Sequence, residues 1–296
     1  MFAKAMDLQK FALSNFIPTI WSAQLLVSLK KSLVYGQEGV VNRNYQGEIS
    51  AYGDTVKINS IGAVTIGDYT KNTNIEDPET LTDATRTLQI TESKYFNFQV
   101  DDIDQAQQNP KVMQQAMQEA AYALRNTADQ FIASHYTDAD PANTIGDDTT
   151  PAALADERAA YELLVDLSVK LDEANVPEDG RWVIVPAWFH GLMLKDDRFT
   201  KNGTTAGVTT LMNGQVGAAA GFNILKSNNV PNTAGAKYKI MAGTSMAISY
   251  AEQINQVEAY RPEKRFADAV KGLHLYGAKT VRPEALAVAT VDRLNG

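Results

Sequence analysis

A stretch near the N-terminus, residues 47–93, constrains this chain more than any other feature of its sequence. It contains strand-like runs at Thr55–Ile61, 64–66 and 85–90, and in several of them apolar and polar residues alternate as in half-buried strands. Only about 15 of its 47 residues are apolar, and about nine are threonine. An isolated hairpin is at best marginally stable in water. The sequence therefore predicts a long β-hairpin that lies on a surface outside its own core, with packing on its own domain as the alternative.

The residues before this hairpin predict an arm that contains one helix. Trp21, Leu25, Leu29 and Leu33 recur four residues apart after Pro18, so they form one narrow apolar stripe. A narrow stripe at a chain end favours docking, either on the parent domain or on a neighbouring molecule.

The middle of the chain predicts a long helix. Apolar residues recur at threes and fours from Met113 to Phe131, which gives a helix over residues 110–136, about 27 residues or roughly 40 Å. A polar loop is expected at 137–150, and Thr150-Pro151 is expected to open a second helix that ends before Asn175.

The second half of the chain alternates between strand and helix signals. A buried strand is predicted at Trp182–Val185, and Pro186 should start a helix that runs to Leu194. Further strands are expected at 222–225, 238–241, 246–250, 256–261, 273–281 and 286–291. Helices and strands are mixed without a regular βαβ repeat, so the predicted fold class is α+β.

Composition removes several classes of protein. The chain has 296 residues and no cysteine, which excludes disulfides, zinc–thiolate sites and thiol nucleophiles. Its net charge of −8 argues against a nucleic-acid binder that relies on a positive field. No apolar run approaches the length of a membrane span, and charged residues interrupt the N-terminus before a secretory signal could form.

Motifs that could carry chemistry are weak. His135, His190 and His274 fall on three predicted elements, and none has a partner at metal-binding helical spacing. The sequence Gly243-Thr244-Ser245-Met246-Ala247 resembles a nucleophile elbow, but alanine takes its last position and no helix pattern follows, so a strand-to-strand turn fits better. We predict no catalytic, cofactor-binding or metal-binding residue.

Three further patterns do not indicate a binding site. Gly214, Gly217 and Gly221 do not match a dinucleotide fingerprint, and the pair Asp138-x-Asp140 lacks the later ligands of a calcium loop. Carboxylate pairs such as Asp147-Asp148 and Asp196-Asp197 stand among loop signals, where solvated acids are the ordinary case.

Negative charge is concentrated in one window. Residues 101–157 hold about 11 acidic side chains against two basic ones, so this window carries a charge of about −9. One interpretation is a solvated helix face followed by an acidic loop. The other is a surface that must lie near a polyanion without binding it.

Five stretches, taken in order, resemble the major capsid proteins of tailed double-stranded DNA bacteriophages with the Hong Kong 97-type fold. They are residues 16–22, 33–36, 53–58, 94–104 and 227–231. The resemblance covers nearly the whole chain. It implies an N-terminal arm (1–45), an extended β-hairpin or E-loop (46–94), a peripheral domain with a long spine helix (95–150), an axial domain (151–254) and strands returning to both domains (255–296).

The same resemblance implies a structural role. The protein would assemble with copies of itself into hexamers and pentamers of an icosahedral head that encloses double-stranded DNA. Its expected protein partners are a scaffolding protein, a portal and a decoration protein. Contact with the packaged DNA is expected to be weak and without sequence preference. No membrane and no cofactor is expected. The expected location is the virion, after assembly in the host cytoplasm.

Some relatives carry an N-terminal scaffolding region that is cleaved off. Because the arm here begins almost at Met1, either a separate scaffolding protein or a longer precursor is expected. Lys57 and Lys71 lie in the hairpin, but nothing near them marks either as one of the cross-linking lysines of some relatives. A decoration or tail-tube protein is the alternative function, and an enzyme comes last for lack of suitable residues.

Overall fold

The computed structural model describes residues 34–45, 53–61, 71, 83–101, 111–154, 156–196, 217–264 and 266–293. In these ranges three α-helices occur: α1 (Lys111–Ser134), α2 (Glu157–Glu173) and α3 (Ala187–Lys195). The strands are β1 (Thr55–Ile61), β2 (Asp83–Gln89), β3 (Glu92–Asp101), β4 (Thr144–Ile145), β5 (Trp182–Val185), β6 (Ala218–Ala219), β7 (Phe222–Lys226), β8 (Asn232–Thr233), β9 (Lys237–Gly243), β10 (Ile248–Tyr260), β11 (Ala267–Thr280) and β12 (Leu286–Asp292).

A seven-stranded mixed sheet organises the larger core. Its order is β4-β12-β9-β5-β7-β6, and β8 pairs with β9 at one end. The pairs β12–β4 and β5–β7 are parallel, and the others are antiparallel. All four side chains of β5 are buried, as expected for a central strand. The predicted mixture of helices and strands is therefore confirmed.

Two helices cover this sheet. α2 buries a stripe of small and aliphatic side chains, and α3 buries Phe189 and Met193 in the same core. Arg181, just before β5, holds the turn after α2 because it donates to the carbonyl oxygen of Pro177 at 2.9 Å and pairs with Asp172 at 2.7 Å. The helix predicted from Pro186 is confirmed.

A second, three-stranded antiparallel sheet has the order β10-β11-β3. α1 packs on one face of this sheet, where the ring of Phe131 meets the ring of Tyr276 edge to face at 5.4 Å. α1 confirms the long helix predicted from apolar spacing, and a 3₁₀ turn (His135–Asp138) continues it. None of the described helices is long and apolar enough to span a membrane.

The base of the predicted hairpin is present, but it lies on its own chain. β1 and β2 pair antiparallel from Thr55↔Gln89 to Ile61↔Asp83. A small core joins Ala251 of β10 and Leu275 of β11 to four side chains of the hairpin base: Val56 and Ile58 of β1, Leu88 of β2, and Ile90 directly after β2. For the described part of the hairpin, the expectation of an outside surface is wrong, because the chain's own sheet supplies the missing apolar contacts.

Local boundaries differ from the sequence expectation in two places. α2 starts at Glu157 rather than near Thr150, because the Asp156 side chain accepts the Ala159 N–H at 2.9 Å and caps the helix there. The strands expected at 246–250 and 256–261 are one strand, β10, with an irregularity between Ile254 and Gln256. Pairing with β11 along its whole length holds it together.

The predicted polar loop at 137–150 contains short regular elements. A 3₁₀ turn (Pro141–Asn143) leads into β4, which pairs with β12. The arm helix around Trp21, the run at 64–66 and Gly214 lie outside the described residues. β3 and β10 run across residues 94 and 254, and the proposed division into domains stays a prediction.

Candidate functional site

The three histidines lie on separate elements. His135 follows α1 and contacts Asp138 through Nδ1 at 2.9 Å. His190 lies on α3, where burial lowers its pKa. His274 is fully buried on β11, with Nε2 3.3 Å from a Glu252 oxygen. Within the described ranges, no group of three or more histidine and acidic side chains is placed to hold a metal ion.

The other motifs have structural explanations. The segment resembling a nucleophile elbow is the turn between β9 and β10, closed by the bond from the Ala247 N–H to the Thr244 carbonyl at 3.1 Å. The prediction of a strand-to-strand turn is confirmed. Asp138 accepts from the Thr280 hydroxyl at 3.0 Å, whereas Asp140 caps a 3₁₀ turn. These two carboxylates therefore perform separate tasks.

The acidic loop is held by its own hydrogen bonds. Asp147 accepts the N–H groups of Thr150 and Thr149 at 2.6 and 2.7 Å, and these bonds lower the pKa of its carboxyl. Asp148 pairs with the buried ammonium of Lys239, which lowers the pKa of Asp148 as well. Part of the acidic window thus stabilises local turns, while its suggested role near a polyanion stays a prediction.

The hairpin seat is the set of contacts by which β1 and β2 rest on β10 and β11. Gly277 of β11 lies so close to β2 that a Cβ atom there would stand 2.4 Å from the carbonyl oxygen of Gln89. Arg86 of β2 donates to the carbonyl oxygen of Thr280 at 3.2 Å. The backbone approach, this hydrogen bond and the small apolar core together fix the base of the hairpin on β10 and β11.

A buried polar network joins Arg43 to β10 and β11. Arg43 forms an ion pair with Glu252, and both side chains are largely buried. Glu252 also accepts the Tyr250 hydroxyl at 2.8 Å and contacts His274. Burial alone would raise the pKa of Glu252, but the hydrogen bond from His274 and the charge of Arg43 bring it below its ordinary value. Glu252 is therefore an anion that joins residues 42–44 to the three-stranded sheet.

A buried carboxylate was missed by sequence reasoning. Asp129 of α1 is 2% exposed, and its two oxygens accept the N–H groups of Val34, Tyr35 and Gly36. The signal was present, because an acid at this position falls within the buried stripe of the helix near Ala128. The hydrophobic pattern alone could not show which backbone groups it would meet.

The three-stranded sheet leaves large aromatic side chains exposed. Tyr95 of β3 is 78% exposed, and Phe266, in the turn between β10 and β11, is 84% exposed. Tyr260 at the end of β10 donates its hydroxyl to Asn97 at 3.1 Å and lies beside Lys271. Tyr95 and Phe266 lie on different parts of this sheet, and each is a candidate contact for another protein.

Comparisons with known proteins match this chain to phage capsid proteins. The sequence profile described as "Phage capsid protein" matches residues 84–289. A solved structure from Mycobacterium phage Che8 is 31% identical, covers 87% of this chain and 90% of its own, and has a TM-score of 0.71.

Two further solved structures share the fold. The capsid structure of cyanophage P-SCSP1u is 15% identical over 82% of this chain and 84% of its own, with a TM-score of 0.67. The mature capsid of bacteriophage PhiM1 is 16% identical over 86% and 88%, with a TM-score of 0.59. No curated protein sequence matches the chain. The chain thus belongs to the phage capsid protein family and is a structural major capsid protein of the Hong Kong 97-type fold, which forms the shell of the virion.

Proposed function

We propose that this shell is an icosahedral head built from hexamers and pentamers of this chain, and that it encloses double-stranded DNA. The observation that carries the proposal is the match of residues 84–289 to the capsid family. We propose that the chain is divided into five parts: an arm (1–45), an E-loop (46–94), a peripheral domain (95–150), an axial domain (151–254) and returning strands (255–296).

The exposed aromatic residues supply the contact surface in this proposal. Tyr95 and Phe266 would each leave a large apolar area in water in a lone subunit. In a shell, a second copy of the chain would cover them, and burial of this area would favour association. The hairpin base, held by the three-stranded sheet of the same chain, would fix the two positions at which the rest of the hairpin begins and ends.

Electron microscopy of the purified full-length chain, with candidate scaffolding protein added, tests the proposal. Closed shells with hexameric and pentameric units are expected. Tubes would indicate a tail-tube protein instead, and single particles at every concentration and salt would contradict the shell. Tyr95→Ser and Phe266→Ser should weaken assembly, whereas Gln99→Ser, an exposed polar change on β3, should leave it unchanged.

The partners proposed beyond self-assembly are a scaffolding protein, a portal and a decoration protein, with assembly in the host cytoplasm. The role is proposed to be non-enzymatic, which is supported by the positions of the three histidines on separate elements. Contact with packaged DNA is proposed to be weak, since the chain carries a net charge of −8. Co-expression with the neighbouring genes of the same phage, followed by particle purification, would identify the protein partners.

A further inference from the structure

Residues 34–45 connect the first 33 residues to the hairpin, and they are held at both ends by buried charged groups. Tyr35, Val40 and Val41 are at most 1% exposed, so this short segment belongs to the core although most of it has no regular secondary structure. Apolar burial fixes the middle of the segment. Its two ends are fixed by contacts of a different kind.

At the first end, three successive N–H groups converge on one carboxylate. Val34 donates to Oδ2 of Asp129 at 2.9 Å, and Tyr35 and Gly36 donate to Oδ1 at 3.2 and 3.3 Å. Successive backbone N–H groups in a turn form a concave site for an anion. The anion here is a side chain of α1, about 94 residues away in sequence.

At the second end, the anchor lies on β10. The Asn42 N–H donates to the Ile248 carbonyl at 2.8 Å, and the Tyr250 N–H donates to the Asn42 carbonyl at 2.9 Å. Directly after this bridge, Arg43 forms its buried ion pair with Glu252. A buried charge that loses its partner is strongly destabilising, so each member of this pair holds the other in place.

We infer that Asp129 and the Arg43–Glu252 pair are two separate positioning anchors. Asp129 fixes residues 34–36, which follow the N-terminal arm in sequence, and the ion pair fixes residues 42–44, which precede the hairpin. This inference rests on the proposed function, in which arm and hairpin contact other subunits. The anchors lie on different elements, α1 and β10, so the positions of residues 34–36 and 42–44 are fixed independently. Loss of one anchor should release one end of the segment only.

Amide hydrogen exchange on unassembled full-length subunits tests this directly. Asp129→Ala should speed exchange at the amides of residues 34–36 by about tenfold or more, with little change at Asn42 and Tyr250. Asp129→Asn keeps an oxygen acceptor and should restore part of the protection. The double change Arg43→Met with Glu252→Gln removes both charges together and should show the opposite pattern.

Two exchange results would overturn the inference. If either variant deprotects both ends, the segment is one cooperative unit. If neither variant changes exchange, burial of Tyr35, Val40 and Val41 is sufficient to hold it.

Microscopy of the same variants then separates the inference from the proposed function. Aberrant particles from a variant whose subunits remain folded support a positioning role. Normal shells from a variant with a released end refute that role. Failure of the unaltered chain to form shells refutes the proposed function and leaves the exchange result standing.

Discussion

Replacement of Gly277 by alanine is the sharpest test of how the hairpin is held. The added Cβ atom would stand 2.4 Å from the Gln89 carbonyl oxygen, and 3.1 Å from both Cα and Cδ1 of Ile90. The closest of these atoms belongs to the backbone of β2, which is paired with β1, so it cannot rotate away. The φ angle of Gly277 is not in the left-handed region, so alanine there adds steric overlap but no backbone strain.

The expected magnitude follows from this geometry. An ordinary carbon–oxygen contact needs roughly 1 Å more than the space allows, so either β2 or β11 must shift. Overpacking of this kind costs about 1–3 kcal/mol. A shift of β2 would also loosen the small core that Leu88 and Ile90 form with Leu275. The loss should therefore concentrate at the hairpin rather than in the seven-stranded sheet.

Gly272→Ala is the matched control, because it lies on the same strand and its Cβ atom would stand 2.3 Å from Cε1 of Phe96. That atom belongs to a half-buried ring that can turn aside, so the control should cost less although the clash is nominally closer. Urea unfolding of the unassembled subunit, combined with amide exchange at residues 86–90, provides the measurement. Unchanged protection of these amides in Gly277→Ala, or an equal loss in both variants, would refute the proposed seat.

Three further predictions concern the long helix, pH and DNA. Leu124→Ala should lower the free energy of unfolding by about 2–5 kcal/mol, because this side chain is buried. Gln118 is exposed, so Gln118→Ala should change it by no more than about 0.5 kcal/mol. Equal losses in the two variants would mean that the buried face of the helix is misassigned. Burial raises the pKa of Asp129 to about 6, so the folded state binds this proton more tightly than the unfolded chain does. The free energy of unfolding should therefore fall by about 3 kcal/mol as pH rises from about 4 to above 6, and urea titrations of Asp129→Asn should lack that part of the pH dependence. Gel-shift titration of unassembled subunits with duplex DNA at about 150 mM salt should give dissociation constants no tighter than about 10⁻⁶ M. Submicromolar or sequence-specific binding would contradict the proposal that contact with DNA is weak.

Elements that depend on local pattern could be predicted from the sequence. The alternation at Thr55–Ile61 predicted β1, the apolar residues recurring at threes and fours predicted α1, and the uninterrupted apolar run at Trp182–Val185 predicted a buried central strand. Each of these signals is contained within a few turns or a few residues, and the periodicity of the backbone converts it directly into a buried face. The resemblance to tailed-phage capsid proteins likewise depended on short stretches in a fixed order.

Contacts between distant residues were decided only by the tertiary structure. The sequence showed that the hairpin lacked apolar material, but not that Leu275 and Ala251 of the three-stranded sheet would supply it. It showed an acid at position 129 without revealing that the N–H groups of residues 34–36 would converge on it. Hydrophobic period determines which face of an element is buried. What that face meets depends on how elements far apart in sequence pack, so the seat at Gly277 and the anchor at Asp129 emerge only once the chain has folded.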